Sequence, residues 1–304
     1  MEKFDVHILG CGSALPTMRH NPSAQIIDIR DKLFMVDCGE GTQLQLRKSR
    51  LRFGRLNRIF ISHLHGDHCF GLIGLISTLG LLGRTGDLYI HSVPDITKVL
   101  TPQLDYFCKD SPFKVILEPF DPTKSELIYE DRSVKVKTIP LAHRVPCAGF
   151  LFEEQPGQNH LIPDMLRFYN VPLKEYNNIK NGQDYIDEDG KVIENSRLTR
   201  PADAVRKYAY CSDTAYKEDI VPLIEGVDLL YHEATFTEAD ISRAQQTGHS
   251  TAAQAALIAK LANVKKLMLG HFSSRYIDNR LLLNEAKPVF PNTILANENL
   301  CEKL

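Results

Sequence analysis

The chain lacks most of the features that would assign it to a special class. None of its seven cysteines forms a C-x-x-C pair, their number is odd and their spacing wide. No disulfide framework is therefore expected, and the thiols read as reduced side chains of a cytoplasmic protein. No hydrophobic run is long enough for a bilayer. The most apolar stretch, Phe70 to Leu82, is about half the length a spanning helix needs, so no membrane partner is expected and the stretch reads as a buried or interface helix. Glu2, Lys3 and Asp5 interrupt the start, which argues against a secretory signal peptide. Positive charge is not in excess either: 36 Lys and Arg stand against 38 Asp and Glu, for a formal net charge of −2. No bulk field forces a nucleic-acid reading, none points to DNA, and any polyanion must be met by local patches. No internal period of 20–50 residues marks a repeat protein. What remains, at 304 residues with 43% hydrophobic and 24% charged, is an ordinary globular protein of one large domain or two smaller ones.

Against that plain background, His63-Leu64-His65-Gly66-Asp67-His68 stands out. Three imidazoles and a carboxylate, all ligands of the kind Zn²⁺ takes, fall within six residues. The run follows Arg58-Ile59-Phe60-Ile61-Ser62, which reads as a buried strand, and precedes an apolar helix expected over 68–83. A strand end that delivers His63 and His65 to one side, a turn at Gly66, and then Asp67 and His68 at a helix start can serve two metal ions from one loop. Three more ligand-capable residues share this context. His143 follows a strand ending near Ile139, Asp213 one ending at Cys211, and His271 one ending at Leu269. In α/β architectures ligands converge just past the carboxyl ends of strands. His63, His65 and His143 would make one imidazole-rich site and Asp67, His68 and His271 a second. The two oxygens of Asp213 could be shared between them, an arrangement suited to two-metal displacement at phosphorus.

The remaining elements read as strands first, then alternating strands and helices, which suggests two sheets flanked by helices. Residues 154–206 change character. They are rich in proline, glycine and polar side chains, with a hairpin expected around Asp189-Gly190, and they read as an inserted, protruding, flexible arm on a single main domain spanning 1–304.

His63-x-His65-x-Asp67-His68 with His143, Asp213 and His271 resembles the metallo-β-lactamase superfamily. That resemblance implies a four-layered αββα sandwich with a binuclear site at the edge of two sheets. Further runs narrow it: Asp37-Cys38-Gly39-Glu40-Gly41-Thr42-Gln43, His232-Glu233-Ala234-Thr235, Gly248-His249-Ser250-Thr251 and Gly270-His271-Phe272-Ser273-Ser274-Arg275-Tyr276. With these the chain closely resembles the ribonuclease Z family from about residue 4 to the end, most weakly over 154–206. The resemblance implies an endonuclease that removes the 3′ trailer of precursor tRNA, leaving a 3′-hydroxyl on the tRNA and a 5′-phosphate on the trailer. It implies two Zn²⁺ per subunit, although such ligands also accept other divalent metals, and a homodimer. Asp67 would be proton acceptor as well as ligand. His249, supported by Glu233, would protonate or stabilise the leaving 3′ oxygen.

Two stretches depart from the family. Its early loop reads Pro-x-Lys-x-Arg-Asn, where this chain has Pro16-Thr17-Met18-Arg19-His20-Asn21. Arg19 and Asn21 are the candidate RNA contacts there. The family's arm carries a Gly-Pro step and basic residues, whereas 154–206 has no Gly-Pro and more acids than bases, leaving single lysines such as Lys180 to meet tRNA. A denser basic run, Arg47, Lys48, Arg50, Arg52, Arg55 and Arg58, contains no acid and reads as phosphate contacts flanking the active site, with Arg50 and Arg52 central. The competing enzyme reading is a binuclear-metal phosphodiesterase or related hydrolase of small molecules, for which arm and basic run would be superfluous. A non-catalytic RNA binder on the same fold is opposed by the full ligand set.

Overall fold

The computed structural model describes residues 2–304. It divides into two compact units, one formed by residues 154–205 and the other by residues 2–153 together with 206–304.

The larger unit is built on two seven-stranded sheets. The first runs in the order Cys301–Lys303, Phe4–Gly10, Ala24–Ile29, Lys32–Cys38, Leu56–Phe60, Leu88–Ser92, Val115–Pro119. The second runs Thr293–Leu295, Leu267–Gly270, Leu229–Glu233, Lys207–Cys211, Ala148–Glu154, Val134–Pro140, Leu127–Glu130. Period-two alternation sends successive side chains to opposite faces. In Ala24–Ile29, Ile27 and Ile29 enter the core between the sheets, while Ala24 and Ile26 enter the core under the helices. Aromatic rings dominate the inter-sheet layer. Phe60 meets Phe150 and Phe152, each at 5.5 Å between ring centroids, and Phe34 meets Phe152 at 6.1 Å. Helices Thr42–Lys48, Leu72–Leu81 and Ile96–Phe107 contribute to the core on the outer face of the first sheet. Helices Ala252–Leu261 and Arg280–Ala286 pack against each other and onto the second. The result is the four-layered αββα sandwich.

Two tyrosines of the second sheet cross the apolar layer to reach polar groups of the first: Tyr208 donates to the Gln25 side chain and Tyr210 to Asp37 Oδ2 at 2.6 Å. All four residues are almost fully buried, so each bond satisfies groups that would otherwise be costly to bury. The backbone beside Tyr210 is crowded. A Cβ at Gly149, in the adjacent antiparallel strand, would stand 2.2 Å from the Tyr210 carbonyl oxygen.

Local structure departs from the sequence expectation in three places. The helix expected over 68–83 is two helices, Gly66–Cys69 and Leu72–Leu81. Gly71 breaks the run because its N–H donates to Cys38 O at 2.8 Å, and its Cα backs onto Gly39 so closely that a Cβ would lie 2.1 Å from that carbonyl oxygen. Between the strands Lys207–Cys211 and Leu229–Glu233, where the alternating pattern predicts a helix, the chain forms a 3₁₀ turn, Glu218–Leu223, holding Pro222, which has no N–H to continue an α-helix. The edge strands Leu127–Glu130, Thr293–Leu295 and Cys301–Lys303 carry too little alternation to be read from sequence.

The smaller unit has its own core of Leu166, Val171, Ile179, Tyr185, Ile193 and Leu198. Within it Tyr185–Ile186 pairs with Val192–Ile193 across Asp189-Gly190, with Gly190 at φ 82°.

Gly149→Ala forces the Tyr210 strand away from its neighbour. The expected cost is about 1–3 kcal/mol, read as a lowered urea midpoint at unchanged slope.

Candidate metal centre and active site

Six strand ends supply the site. Asp37 closes Lys32–Cys38, His63 to His68 follow Leu56–Phe60, His143 follows Val134–Pro140, Asp213 follows Lys207–Cys211, Glu233 ends Leu229–Glu233, and His271 follows Leu267–Gly270. Asp37, Asp213 and His271 all take left-handed backbone, at φ 57°, 58° and 58°. Each costs on the order of 1–2 kcal/mol in a residue bearing a Cβ. Such outliers persist where surrounding structure over-determines them; here they turn side chains off the strand ends toward a common centre.

Around that centre the ligands form two groups. His63, His65, His143 and Asp213 are close enough to hold one ion, and Asp67, His68 and His271 a second. Asp213 faces both. Its Oδ2 lies 3.7 Å from the Nε2 atoms of His63 and His143, and its Oδ1 lies 3.1 Å from those of His68 and His271. The structure thus brings together all seven residues singled out in the sequence.

Hydrogen bonds at the outer nitrogens fix the tautomers. His68 Nδ1 donates to Asp37 Oδ2 at 2.7 Å and His143 Nδ1 to the Gly248 carbonyl at 2.8 Å. Ser62 Oγ gives its proton to Asp37 and can then accept from His63 Nδ1 at 3.0 Å. Thr235 Oγ1 donates to Glu233 at 2.6 Å and accepts from His271 Nδ1 at 2.9 Å. All four rings therefore turn Nε2 inward. His65 presents Nδ1 instead, 3.0 Å from His63 Nε2 and 3.3 Å from His143 Nε2. Lone pairs held this close repel unless a cation lies among them, and the separations are near the edge of a tetrahedron with Zn–N bonds of about 2.0–2.1 Å. His68 Nε2 is buried without a hydrogen-bond donor or acceptor in good alignment. Side-chain partners on the outer nitrogens of ligating histidines are the usual support of a metal site, so the residues present fit a divalent metal.

Protonation follows the same division. Burial, with His68 close by, holds His63 well below the usual imidazole pKa, so its lone pair is free. Burial also opposes charge on His68, but the Asp213, Asp67 and Asp37 carboxylates outweigh it and push its pKa well above the usual value. A position where three carboxylates hold a proton is a position for a cation.

Beside the ligands lies an acid–base pair. His249 Nδ1 donates to Glu233 Oε1 at 2.9 Å. Burial lowers the His249 pKa, but the Glu233 carboxylate more than offsets this and raises it to about 9. Glu233 is wholly buried and also accepts from the N–H groups of Thr214 and Ser250, at 2.6 and 3.2 Å. Thr251 is the N-cap of the following helix, Ala252–Leu261. It forms a capping box with Gln254, while Ser250 Oγ donates to the Thr214 carbonyl. That fixed helix start and the left-handed Gly248, at φ 73°, aim His249 into a cavity of ≈ 640 Å³ lined also by His65, Asp67, Asp213 and His271.

The cations lining this cavity are Arg144, Arg243 and Arg275, none of which the sequence reading singled out. Arg144 directly follows His143, and adjacency to a ligand was the available signal. Asp37, Ser62 and Thr235 were missed as supports for a different reason: Asp37–His68, Ser62–Asp37 and Thr235–His271 are pairs distant in sequence. Of the residues expected to touch RNA, Arg19 donates to the carbonyls of Ile277 and Ser274 at 2.8 and 3.4 Å, and Asn21 N–H donates to Glu298 at 2.8 Å. His20 is latched between Glu298 and Asn279, at 3.0 and 2.9 Å. Arg50 and Arg52 are exposed in the turn that enters Leu56–Phe60, so the strand itself separates them from the metal loop at its other end. Arg58 is committed internally, within 4.2 Å of the Tyr89 ring and 4.0 Å of Tyr129, and paired with Glu118 at 3.2 Å. Lys180 ends the helix Tyr176–Lys180 of the smaller unit.

Two packed sheets with a histidine–aspartate cluster at their strand ends define a metal-dependent hydrolase of the metallo-β-lactamase fold. Comparisons agree. The metallo-β-lactamase fold protein YhfI from Bacillus subtilis superposes with a TM-score of 0.70 at 20% identity over 100% of both chains, a likeness of fold alone. Human tRNase Z, short form, superposes with a TM-score of 0.70 at 27% identity over 98% of each chain. A family model described as Anti-Pycsar protein Apyc1 matches residues 4–155, the half that holds His63 to His68 but not Glu233, His249 or His271. Full-length relatives are more specific. Ribonuclease Z of Bacteroides fragilis is 62% identical over 304 residues, 100% of each chain, and that of Porphyromonas gingivalis 56% over 300 residues, 99% of each. The chain belongs to the ribonuclease Z family.

If Asp37 orients His68 for metal, Asp37→Asn weakens metal affinity about 10- to 100-fold in competition with a chromogenic chelator. Unchanged affinity would show that His68 needs no acceptor at Nδ1.

Proposed function

We propose that this chain removes the 3′ trailer of precursor tRNA by hydrolysis, leaving a 3′-hydroxyl on the tRNA and a 5′-phosphate on the trailer. Membership of the ribonuclease Z family makes it a metal-dependent endoribonuclease of tRNA 3′ processing. The observation that carries the finer chemistry is His249, held on a buried Glu233 at the wall of the cavity that the ligand cluster opens into. The nitrogen-rich ligand set suits two Zn²⁺, for which His63, His65 and His143 on one side and Asp67, His68 and His271 on the other would supply the donors, with Asp213 facing both. When bound, the ions supply Lewis-acid polarisation of the phosphoryl oxygens and an activated water.

The chain's own residues do the rest. Asp67 lines the cavity, and His68 and His271 outweigh its burial and hold its carboxyl well below the usual range. It is therefore ionised at neutral pH, and its place on the cavity wall makes it the assigned acceptor for the proton of the attacking water. His249 carries a proton at neutral pH because Glu233 raises its pKa to about 9, and it donates to the departing 3′ oxygen, whose protonation cleavage requires. Glu233 touches no substrate; it positions the ring.

Arg19, Asn21, Arg50, Arg52 and Lys180 are proposed contacts to the RNA outside the catalytic cavity, with residues 154–206 as the arm that meets the tRNA body. The exposed Leu81 and Leu82 at the end of the Leu72–Leu81 helix support a homodimer through that face. No described helix is long and apolar enough to cross a membrane, and a substrate of this kind places the chain in the cytoplasm.

A 5′-labelled precursor tRNA with a 3′ trailer should be cut once at the acceptor end, and a chelator should abolish the cut. Loss of tRNA cleavage with retained hydrolysis of small phosphodiesters would instead favour the small-molecule hydrolase. His65→Ala should lose activity together with metal. His249→Ala should retain metal and tRNA binding while single-turnover cleavage falls by about 10²-fold or more; a near-normal rate would remove its role. Deleting residues 158–196 should spare a small diester and lose precursor tRNA, whereas equal loss on both would make the segment structural.

A further inference from the structure

The cavity wall carries an aromatic ring that the chemistry above does not use. Phe70 is 69% exposed, yet its ring is held. It lies over Gly66, where a Cβ would come within 2.3 Å of the ring, and its N–H donates to the Gly66 carbonyl at 2.9 Å. The turn that presents Asp67 therefore also fixes the ring. Leaving a large apolar side chain in water gains nothing for folding, and the neighbours suit an RNA strand. The same cavity is lined by Arg144 and Arg243, both exposed. Arg275, by contrast, is paired with Asp240 at 3.1 Å.

We propose that Phe70 is a substrate-positioning residue on which an unpaired base beside the scissile phosphate stacks, with Arg144 and Arg243 meeting the phosphates that flank it. This rests on the precursor-tRNA reading of the site. Every base offers a π-face, so a ring of this kind grips single-stranded RNA without selecting its sequence, and guanidinium groups supply the matching charge. The ring also borders a shallow depression with Ile73, Ile96 and Val99. A second copy of the chain is the competing occupant, and it is separable by experiment.

The test uses the metal-loaded enzyme and precursor tRNA with 2-aminopurine substituted singly at nucleotides on either side of the cleavage point. Binding is followed by stopped-flow fluorescence before cleavage. Wild type should quench the probe at one position. Phe70→Leu, apolar but unable to stack, should lose the quench and raise KM about 5- to 100-fold at unchanged metal content, and Phe70→Trp should restore both. An unchanged KM with the quench intact in Phe70→Leu overturns the proposal. So does a quench that survives while Phe70→Leu converts a dimer to monomer in sedimentation, which assigns the ring to a subunit interface. Failure of wild type itself to cut precursor tRNA would sink the substrate reading, a result distinct from either.

Discussion

The site depends on one buried carboxylate. Asp37 accepts from Ser62 N–H and Oγ at 2.8 and 3.0 Å, from Tyr210 Oη at 2.6 Å and from His68 Nδ1 at 2.7 Å. Ser62 begins the histidine-rich loop, Tyr210 belongs to the opposite sheet, and His68 belongs to the candidate ligand cluster. A charge this deeply buried is tolerable only with its lone pairs filled. Filling them requires that the loop, the second sheet and the ligand all arrive in one geometry. The sandwich and the metal centre are therefore specified together, and the left-handed backbone at Asp37 is held in place by the bonds its side chain makes.

The acid–base pair follows the same logic from the second sheet. Glu233 is satisfied by two backbone N–H groups and Thr235 before it meets His249. Thr235 passes the restraint on to His271. His249 and His271 thus share one support, while His143 is tied through Gly248 to the turn that carries His249. Groups that must act in concert around one phosphorus are fixed to one another outside it, which is how a site keeps reacting atoms aligned without reorganising at each turnover.

The ligands were legible because each stands just past a strand end, and strand ends are visible in hydrophobic patterning. His63, His143, Asp213 and His271 needed no tertiary information beyond that. The charged surface around the site was less legible. Arg50 and Arg52 precede the metal strand in sequence, but a strand carries its two ends apart, so closeness along the chain became distance in space. Arg58 illustrates a second failure. As a letter it belonged to a basic run; in the fold it is stacked between two tyrosines and paired with Glu118. Arg144 and Arg243 join Arg275 at the cavity from separate segments, and no local pattern announces either of them.

By itself the sequence placed the candidate ligands: which residue types gather and at which strand ends are properties of spacing and period, which are local. The likeness to ribonuclease Z was carried separately, by the motifs around Asp37, Glu233, His249 and His271. Only the tertiary structure decided how those residues are held. It set the tautomers of His63, His68, His143 and His271, split the 68–83 segment at Gly71, and made Asp37 the link between the sheets. Each of these turns on a hydrogen bond or close approach between residues tens to more than a hundred positions apart, or on a backbone strain that only such contacts can sustain. Hydrophobic patterning does not encode partners of that kind.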